Sequence, residues 1–147
     1  MDHKKYMAEA LCCAREAYDR GEVPVGCVIA RNDEIIASGY NRREGDRCAL
    51  SHAETLAIAA ACRVLGGWRL PGCALYVTLE PCAMCAGAII NARIPVVVYG
   101  AKDAEMGACG SMINLFEEGF SHRPRLYGGV MAEECAGLLR DFFRGIR

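Results

Sequence analysis

The spacing of apolar positions changes several times along this chain, and each change marks an element. From Tyr6 onward apolar residues recur three and four apart, at Ala10, Leu11, Ala14, Ala17 and Tyr18, which predicts an amphipathic helix. Asp2 is placed to cap its first turn and Gly21 to close it. Two β-rich runs follow, Val25 to Arg31 and Glu34 to Tyr40, joined by Asn32-Asp33, a pair suited to a tight hairpin. The alanine-rich stretch Ala53 to Val64 returns to helical character and stops at Gly66-Gly67. Cys73 to Leu79 reads as a strand, and Pro81 suits the first turn of a helix that runs to about Ala92. Pro95 to Tyr99 is a wholly apolar strand. A loop containing glycine, a short strand near Leu126 and a final helix from Ala132 to Arg144 complete the chain.

Strands alternating with helices in this order predict a sheet covered by helices, an α/β layered domain. No repeat, low-complexity tract or linker interrupts it. The apolar stretch Ala86 to Ile90 is open to two uses, packing into the core or meeting a partner helix.

Composition narrows the class. A chain of 147 residues can bury one sizeable core, and 53% hydrophobic with 24% charged residues is ordinary globular composition, not disorder. Apolar runs fall short of the ~18 residues of a membrane span. The start, Met1-Asp2-His3-Lys4-Lys5-Tyr6, lacks the apolar stretch of a signal peptide, so a cytoplasmic protein without a membrane partner is expected. In that compartment the ten cysteines are expected as thiols. Cys27, Cys48, Cys62, Cys73, Cys109 and Cys135 read as small hydrophobes, and Cys12-Cys13 as half core and half surface. A net charge of −1 argues against a general nucleic-acid coat. Local basic groups remain, at Arg42, Arg43 and Arg47 and at Arg123, Arg125, Arg140, Arg144 and Arg147, each with a solvated face as its default use.

Cys82 and Cys85 stand apart from the other thiols. His52-Ala53-Glu54 is followed, thirty residues after the His, by a Cys in Pro81-Cys82-Ala83-Met84-Cys85. One imidazole and two thiolates are three zinc ligands, one short of the closed set of a structural site, and catalytic zinc sites leave the fourth position to water. Glu54 then stands beside that position without being a ligand. With Cys82 and Cys85 in the first turn of a helix, three apart, they share one face, and the positive helix terminus favours the thiolate. A redox pair lacks support because Glu80-Pro81 replaces the sequence context of thioredoxin-like motifs. A structural zinc site would need a fourth ligand from an isolated residue such as Cys48 or Cys109. The alternative use of Glu54 is an exposed first-turn acid, and that of Asn41 a strand-end turn residue.

The pattern H-x-E…P-C-x-x-C resembles the signature of zinc nucleobase deaminases. Beyond it, the chain resembles the bacterial tRNA-specific adenosine deaminases from Glu9 nearly to its end. The matching stretches are Glu22 to Gly26, His52 to Glu54, Leu75 to Ala88, Tyr99 to Ala104 with Gly110-Ser111, and Gly129-Val130 through Ala132-Glu133-Glu134-Cys135 to Asp141-Phe142-Phe143-Arg144. The resemblance implies a three-layer α-β-α cytidine-deaminase-like fold with a central five-stranded mixed sheet, residues 1–147 forming a single zinc-dependent deaminase domain, and a homodimer with one Zn2+ per chain. It implies hydrolytic deamination of the wobble adenosine of a tRNA anticodon stem-loop to inosine, with release of ammonia. The alternative is a deaminase of a free nucleobase or nucleoside, of guanine or cytosine type. His52, Cys82 and Cys85 fall on the metal ligands and Glu54 on the proton shuttle. Asn41 falls on a residue that hydrogen-bonds the target base, Val25 to Gly26 and the turn after Asn41 on pocket wall, and Asp103 on a segment that meets flanking nucleotides, with Ala53 also expected among the substrate-binding residues.

Two departures are visible. Cys48-Ala49-Leu50-Ser51 stands where the family usually has Asp-Pro-Thr-Ala, which predicts a freer loop ahead of His52 and an altered substrate preference. The closing Arg144-Gly145-Ile146-Arg147 is less basic than the usual end, which predicts fewer phosphate contacts.

Overall fold

In the computed structural model, residues 2–145 are described, so Met1 and the Ile146-Arg147 that ends the chain lie outside the described residues. The elements in order are α1 (His3–Asp19), β1 (Gly26–Arg31), β2 (Glu34–Tyr40), α2 (Ala53–Leu65), β3 (Cys73–Leu79), α3 (Ala83–Asn91), β4 (Val96–Ala101), β5 (Arg125–Tyr127) and α4 (Ala132–Gly145). A single 3-10 turn, Leu115–Glu117, lies between β4 and β5.

The strands form one five-stranded mixed sheet in the order β2-β1-β3-β4-β5. β1 runs antiparallel to both β2 and β3, while β3, β4 and β5 are parallel. The hairpin between β1 and β2 turns on Asn32 and Asp33, both at positive φ (53° and 62°), the backbone that a two-residue turn with the twist of its strands requires. Asp2 caps α1 by accepting the Lys5 N–H, and Gly66 ends α2 in the left-handed conformation.

The three layers follow from the period of two along the strands. Cys27 and Ile29 of β1, Leu75 and Val77 of β3, and Val97 and Tyr99 of β4 face α2 and α3. Val28, Ala30, Ala74, Tyr76 and Val98 face α1 and α4. The central strands are therefore buried on both sides and read in sequence as unbroken apolar runs. Ala86, Ile89 and Ile90 of α3 sit in the first of these cores, so the apolar stretch of that helix is spent on the chain's own packing.

Several boundaries differ from the sequence expectation by a residue or two, β4 for example running on to Ala101, and three of the differences have a visible cause. Val25 precedes β1 and Pro95 precedes β4, because each is tied to a neighbouring segment by a single backbone bond: the Val25 carbonyl to Asn41 N–H and the Pro95 carbonyl to Arg125 N–H. Pro81 lies outside α3, with its carbonyl accepting the Ala108 N–H, and Cys82 is the cap residue before the helix, not a member of its first turn. All ten cysteines are free; Cys27, Cys73, Cys109 and Cys135 are buried and Cys12 is exposed. Among the described residues no helix is long and apolar enough to cross a membrane.

One close approach sets where α2 begins. A Cβ added to Gly39 of β2 would lie 2.5 Å from the Ala53 carbonyl oxygen and 3.0 Å from the Ala57 nitrogen, so the first turn of α2 rests on bare backbone. Gly39→Ala is expected to cost about 1–3 kcal/mol in urea unfolding. It should also weaken metal binding, since the push lands on the turn that carries His52 and Glu54. An unaltered unfolding midpoint would show that α2 can shift without cost.

Candidate active site

Two helices begin side by side at one end of the sheet. His52 is the cap residue of α2, in extended conformation, and its N–H bonds the Thr55 hydroxyl at 3.2 Å. Cys82 caps α3, also extended, and the Ala86 N–H closes the first helical bond onto the Cys82 carbonyl at 2.8 Å. Cys85 follows one turn on and is fully buried. This brings His52 Nδ1 to 3.7 Å from Cys82 Sγ and 3.5 Å from Cys85 Sγ.

Those separations can be checked against a metal. Zinc bonds of about 2.3 Å to sulfur and about 2.05 Å to nitrogen, at a tetrahedral angle, put sulfur and nitrogen about 3.6 Å apart. The donor set therefore fits a metal ion in both chemistry and spacing. Among the described residues the donor group consists of His52, Cys82 and Cys85, with ligand atoms within 4.8 Å of one another. Neither Cys48 nor Cys109 joins it, so the fourth protein ligand of a structural site is missing from the group.

The two thiols share a proton unequally. The Cys82 thiol falls to about 5, because Cys85 donates to it; burial opposes this, and the amide N–H groups of Cys85 and Met84 and the nearby His52 assist. Cys85 is correspondingly pushed up, by that donated hydrogen bond first, then by burial and the neighbouring charges of Glu54 and Cys82. Glu54, only 4% exposed, is raised to about 7. Burial is the main cause; the Glu54 N–H, which donates to the carboxylate, resists, the charge of Cys82 adds to the rise, and the neighbouring Cys85 thiol group resists slightly.

A cavity of about 180 Å³, room for one nucleobase ring, opens onto this cluster. His52, Ala53, Glu54 and Cys82 line its floor, with Val25, Asn41 and Asp103 on its sides. The residues expected to carry the chemistry and bind the base thus line one cavity, and Cys85, fully buried, joins them through its 3.5 Å approach to His52. Asn41 is 8% exposed; its Nδ2 donates to the Val23 carbonyl at 3.2 Å and its Oδ1 accepts the Arg43 N–H at 3.1 Å. One N–H and one lone pair of that amide remain for a ligand. Asp103 Oδ1 accepts the N–H groups of Glu105 and Met106, each at 3.1 Å.

Sequence reasoning missed Val23, Arg43, Leu79, Glu80 and Met106, which also line the cavity. Arg43 had been grouped with Arg42, but the two diverge: Arg42 pairs with Asp46 at 3.0 Å while Arg43 reaches the cavity. The loop ahead of His52 is also tied, not freed. Ser51 Oγ donates to Asp46 at 2.9 Å, Cys48 N–H to the Arg43 carbonyl at 3.1 Å, and the Arg42 N–H to the Ser51 carbonyl at 3.0 Å. Hydrogen bonds within the turn do there what a proline would do by stiffness.

Comparison with known proteins gives a consistent result. The sequence model of the MafB19-like deaminase family matches residues 1–147. The chain is 50% identical over 143 residues to a tRNA-specific adenosine deaminase of Bacillus subtilis (strain 168), covering 97% of this chain and 89% of that protein. A solved structure from work on A-to-I editing by tRNA:A34 deaminases at the wobble position of transfer RNA superposes with a TM-score of 0.88 at 43% identity, over 91% of this chain and 98% of that one. A guanine deaminase structure from Bacillus subtilis matches at a TM-score of 0.68 and 31% identity, over 99% and 95% of the two chains.

Because Cys85 holds its proton well above neutral pH, metal must displace that proton to bind. Calorimetric titration of the metal-free protein at pH 7, in buffers of different ionisation enthalpy, should read at least one proton released per ion. Affinity should fall as pH is lowered, since protons compete for the same sulfur. Cys85→Ala and Cys82→Ala should each leave a metal-to-protein ratio well below one. Binding without proton release would mean that both thiols are already ionised.

Proposed function

The chain belongs to the MafB19-like deaminases and, within them, to the tRNA-specific adenosine deaminases, and on that premise we propose that it converts the wobble adenosine of a tRNA anticodon to inosine. The observation that carries the proposal is the buried Glu54 carboxyl, set beside a three-donor metal site at the floor of a cavity sized for one base. In this reading residues 1–147 act as one deaminase domain. The ion is zinc, one per chain, and when bound it supplies the Lewis acidity that makes water nucleophilic near neutral pH.

His52, Cys82 and Cys85 hold that ion. Glu54 takes one proton of the attacking water and passes it to the ring nitrogen beside C6, then takes the second from the hydroxyl added at C6 and delivers it to the departing amino group. Adenosine and water thus become inosine and ammonia. A carboxyl near 7 suits a group that must accept and return a proton at neutral pH. Val25 and Ala53 form wall against the base plane, the free N–H and lone pair of Asn41 address its edge, and Asp103 stands where flanking nucleotides would pass. A duplex hides C6, so the base must come from a loop, which an anticodon already presents unstacked.

The proposal includes a homodimer acting in the cytoplasm, where tRNA is found. Large apolar side chains exposed in the two loops flanking the cavity support pairing: Leu50 in one, Met106, Met112 and Ile113 in the other. The likeness to a guanine deaminase makes free purines the second substrate class to test.

The test is inosine formation by the metal-loaded protein on an adenosine-wobble anticodon stem-loop, set against free adenine, guanine, cytosine and their nucleosides. Product from the stem-loop alone is expected. Turnover of a free base alone would move the protein to base salvage. Glu54→Ala should keep metal and fold while losing at least ~10²-fold in turnover; an active, metal-replete variant would sink the role assigned to Glu54.

A further inference from the structure

Two more carboxylates are as buried as Glu54 and take no part in the chemistry above: Glu22, 4% exposed, and Glu80, 2% exposed. A buried carboxylate is costly unless its oxygens are bonded, so their partners indicate what they hold. Glu80 Oε1 accepts the Asp103 N–H at 3.1 Å and the Ser111 hydroxyl. Its Oε2 accepts the N–H groups of Cys109 and Ser111, each at 3.0 Å. Four donors meet the roughly four lone-pair sites of a carboxylate, which leaves Glu80 no acceptor capacity for a substrate or an ion. Glu22 Oε1 accepts the Glu44 N–H at 3.0 Å and its Oε2 the Gly45 N–H at 2.7 Å.

The donors belong to two different loops, each of which contributes residues to the cavity lining. The loop gathered by Glu80 carries Asp103 and Met106, and the loop gathered by Glu22 carries Asn41 and Arg43. Each loop has a few backbone bonds of its own, such as Arg42 N–H to the Ser51 carbonyl and Gly107 N–H to the Asp103 carbonyl, and the buried carboxylate collects amides that those bonds leave over. The packing around Glu80 leaves no slack. A Cβ on Gly107 would lie 2.4 Å from Glu80 Oε2 and 2.4 Å from the Asp103 carbonyl.

The geometry points to Glu22 and Glu80 as positioning residues, each holding one wall of the base cavity in register through backbone N–H groups, with carboxylate oxygens bonded to those groups and not to substrate or metal. The inference deepens the deaminase reading and rests on it for the substrate, but not for the walls. It separates binding from chemistry: Glu54 and the metal donors sit on helix termini set by the packing of α2 and α3 on the sheet, to which both loops connect but which neither carboxylate bonds. Loosening a wall therefore weakens capture of the nucleic acid and leaves the reacting groups in place.

Glu80→Gln, Glu22→Gln and Gly107→Ala test this in the metal-loaded protein. Each should melt as a folded protein, keep about one ion per chain, and raise KM for the stem-loop about tenfold while kcat stays within about threefold of the parent. Amide hydrogen exchange should quicken at Asp103, Cys109 and Ser111 in Glu80→Gln and Gly107→Ala, and at Glu44 and Gly45 in Glu22→Gln. Glu80→Gln combined with Gly107→Ala should be no worse than the worse single change, because both break one network. Glu80→Gln with Glu22→Gln should multiply, because the walls are separate. An unchanged KM, or a lower melting temperature with unchanged KM and exchange, overturns the inference. Should Glu80→Gln not fold, Gly107→Ala and Ser111→Ala, which removes one donor, decide by the same readouts. If the parent protein acts on a free purine instead, that fact overturns the tRNA reading. The walls are then judged by the same KM split on the purine and by the exchange pattern.

Discussion

The convergence of two helix N-termini at one end of the sheet is the constraint on which the rest of this molecule depends. A helix start presents backbone N–H groups with no partner inside the helix and a partial positive charge. Placing two such starts together, at His52 and at Cys82, makes a setting that favours a thiolate without any cationic side chain having to be buried. The sheet fixes their separation. α3 leaves the C-terminal end of β3 through Glu80-Pro81, and α2 is pressed against β2 where Gly39 has no side chain. The 3.5 and 3.7 Å separations of the donor atoms are thus set by strand order and helix packing, with the ligands themselves merely filling the ends.

Much of this was legible in the sequence, and the reason lies in which physical signals are local. Helical spacing from Tyr6 to Tyr18, the Asn32-Asp33 turn and the unbroken apolar run from Cys73 to Val77 each report a structure made by neighbouring residues. The ligand triad was visible for the same reason: a metal restricts residue type as well as spacing. The position of Pro81 was not, since proline suits the start of a helix and the residues just before it alike. What placed it outside α3 is a hydrogen bond from Ala108, twenty-seven residues away, and periodicity contains no trace of that.

The loops show the limit more sharply. Cys48-Ala49-Leu50-Ser51, without a proline, reads as slack, yet the turn is closed by Ser51, Asp46 and the carbonyls of Arg42, Arg43 and Cys48. In sequence Glu22 follows a helix end and Glu80 follows a strand, places where an acid is usually solvated. One signal did exist for Glu80. It sits between the buried strand β3 and Pro81, next to a metal ligand pair, where a solvated charge has little room. Burial beside a proline asks for partners, but only the folded chain says that they are the amides of Asp103, Cys109 and Ser111.

Glu54 and Glu80 together show why burial alone does not decide what a carboxyl does. Both are almost wholly enclosed, at 4% and 2% exposure, and in both burial acts to raise the pKa. In Glu54 it prevails, because one amide and one thiol are the donors that face it and the Cys82 charge is near; the group sits at about 7. In Glu80 it loses to the Ser111 hydroxyl and three amides, and the carboxyl falls below its ordinary value. A carboxylate with its lone pairs filled is fixed in charge and place, which suits a tether. One left short of donors is poised between protonation states and open to a new partner, which suits proton transfer. The count of donors, not depth, separates the residue that moves protons from the one that holds the wall.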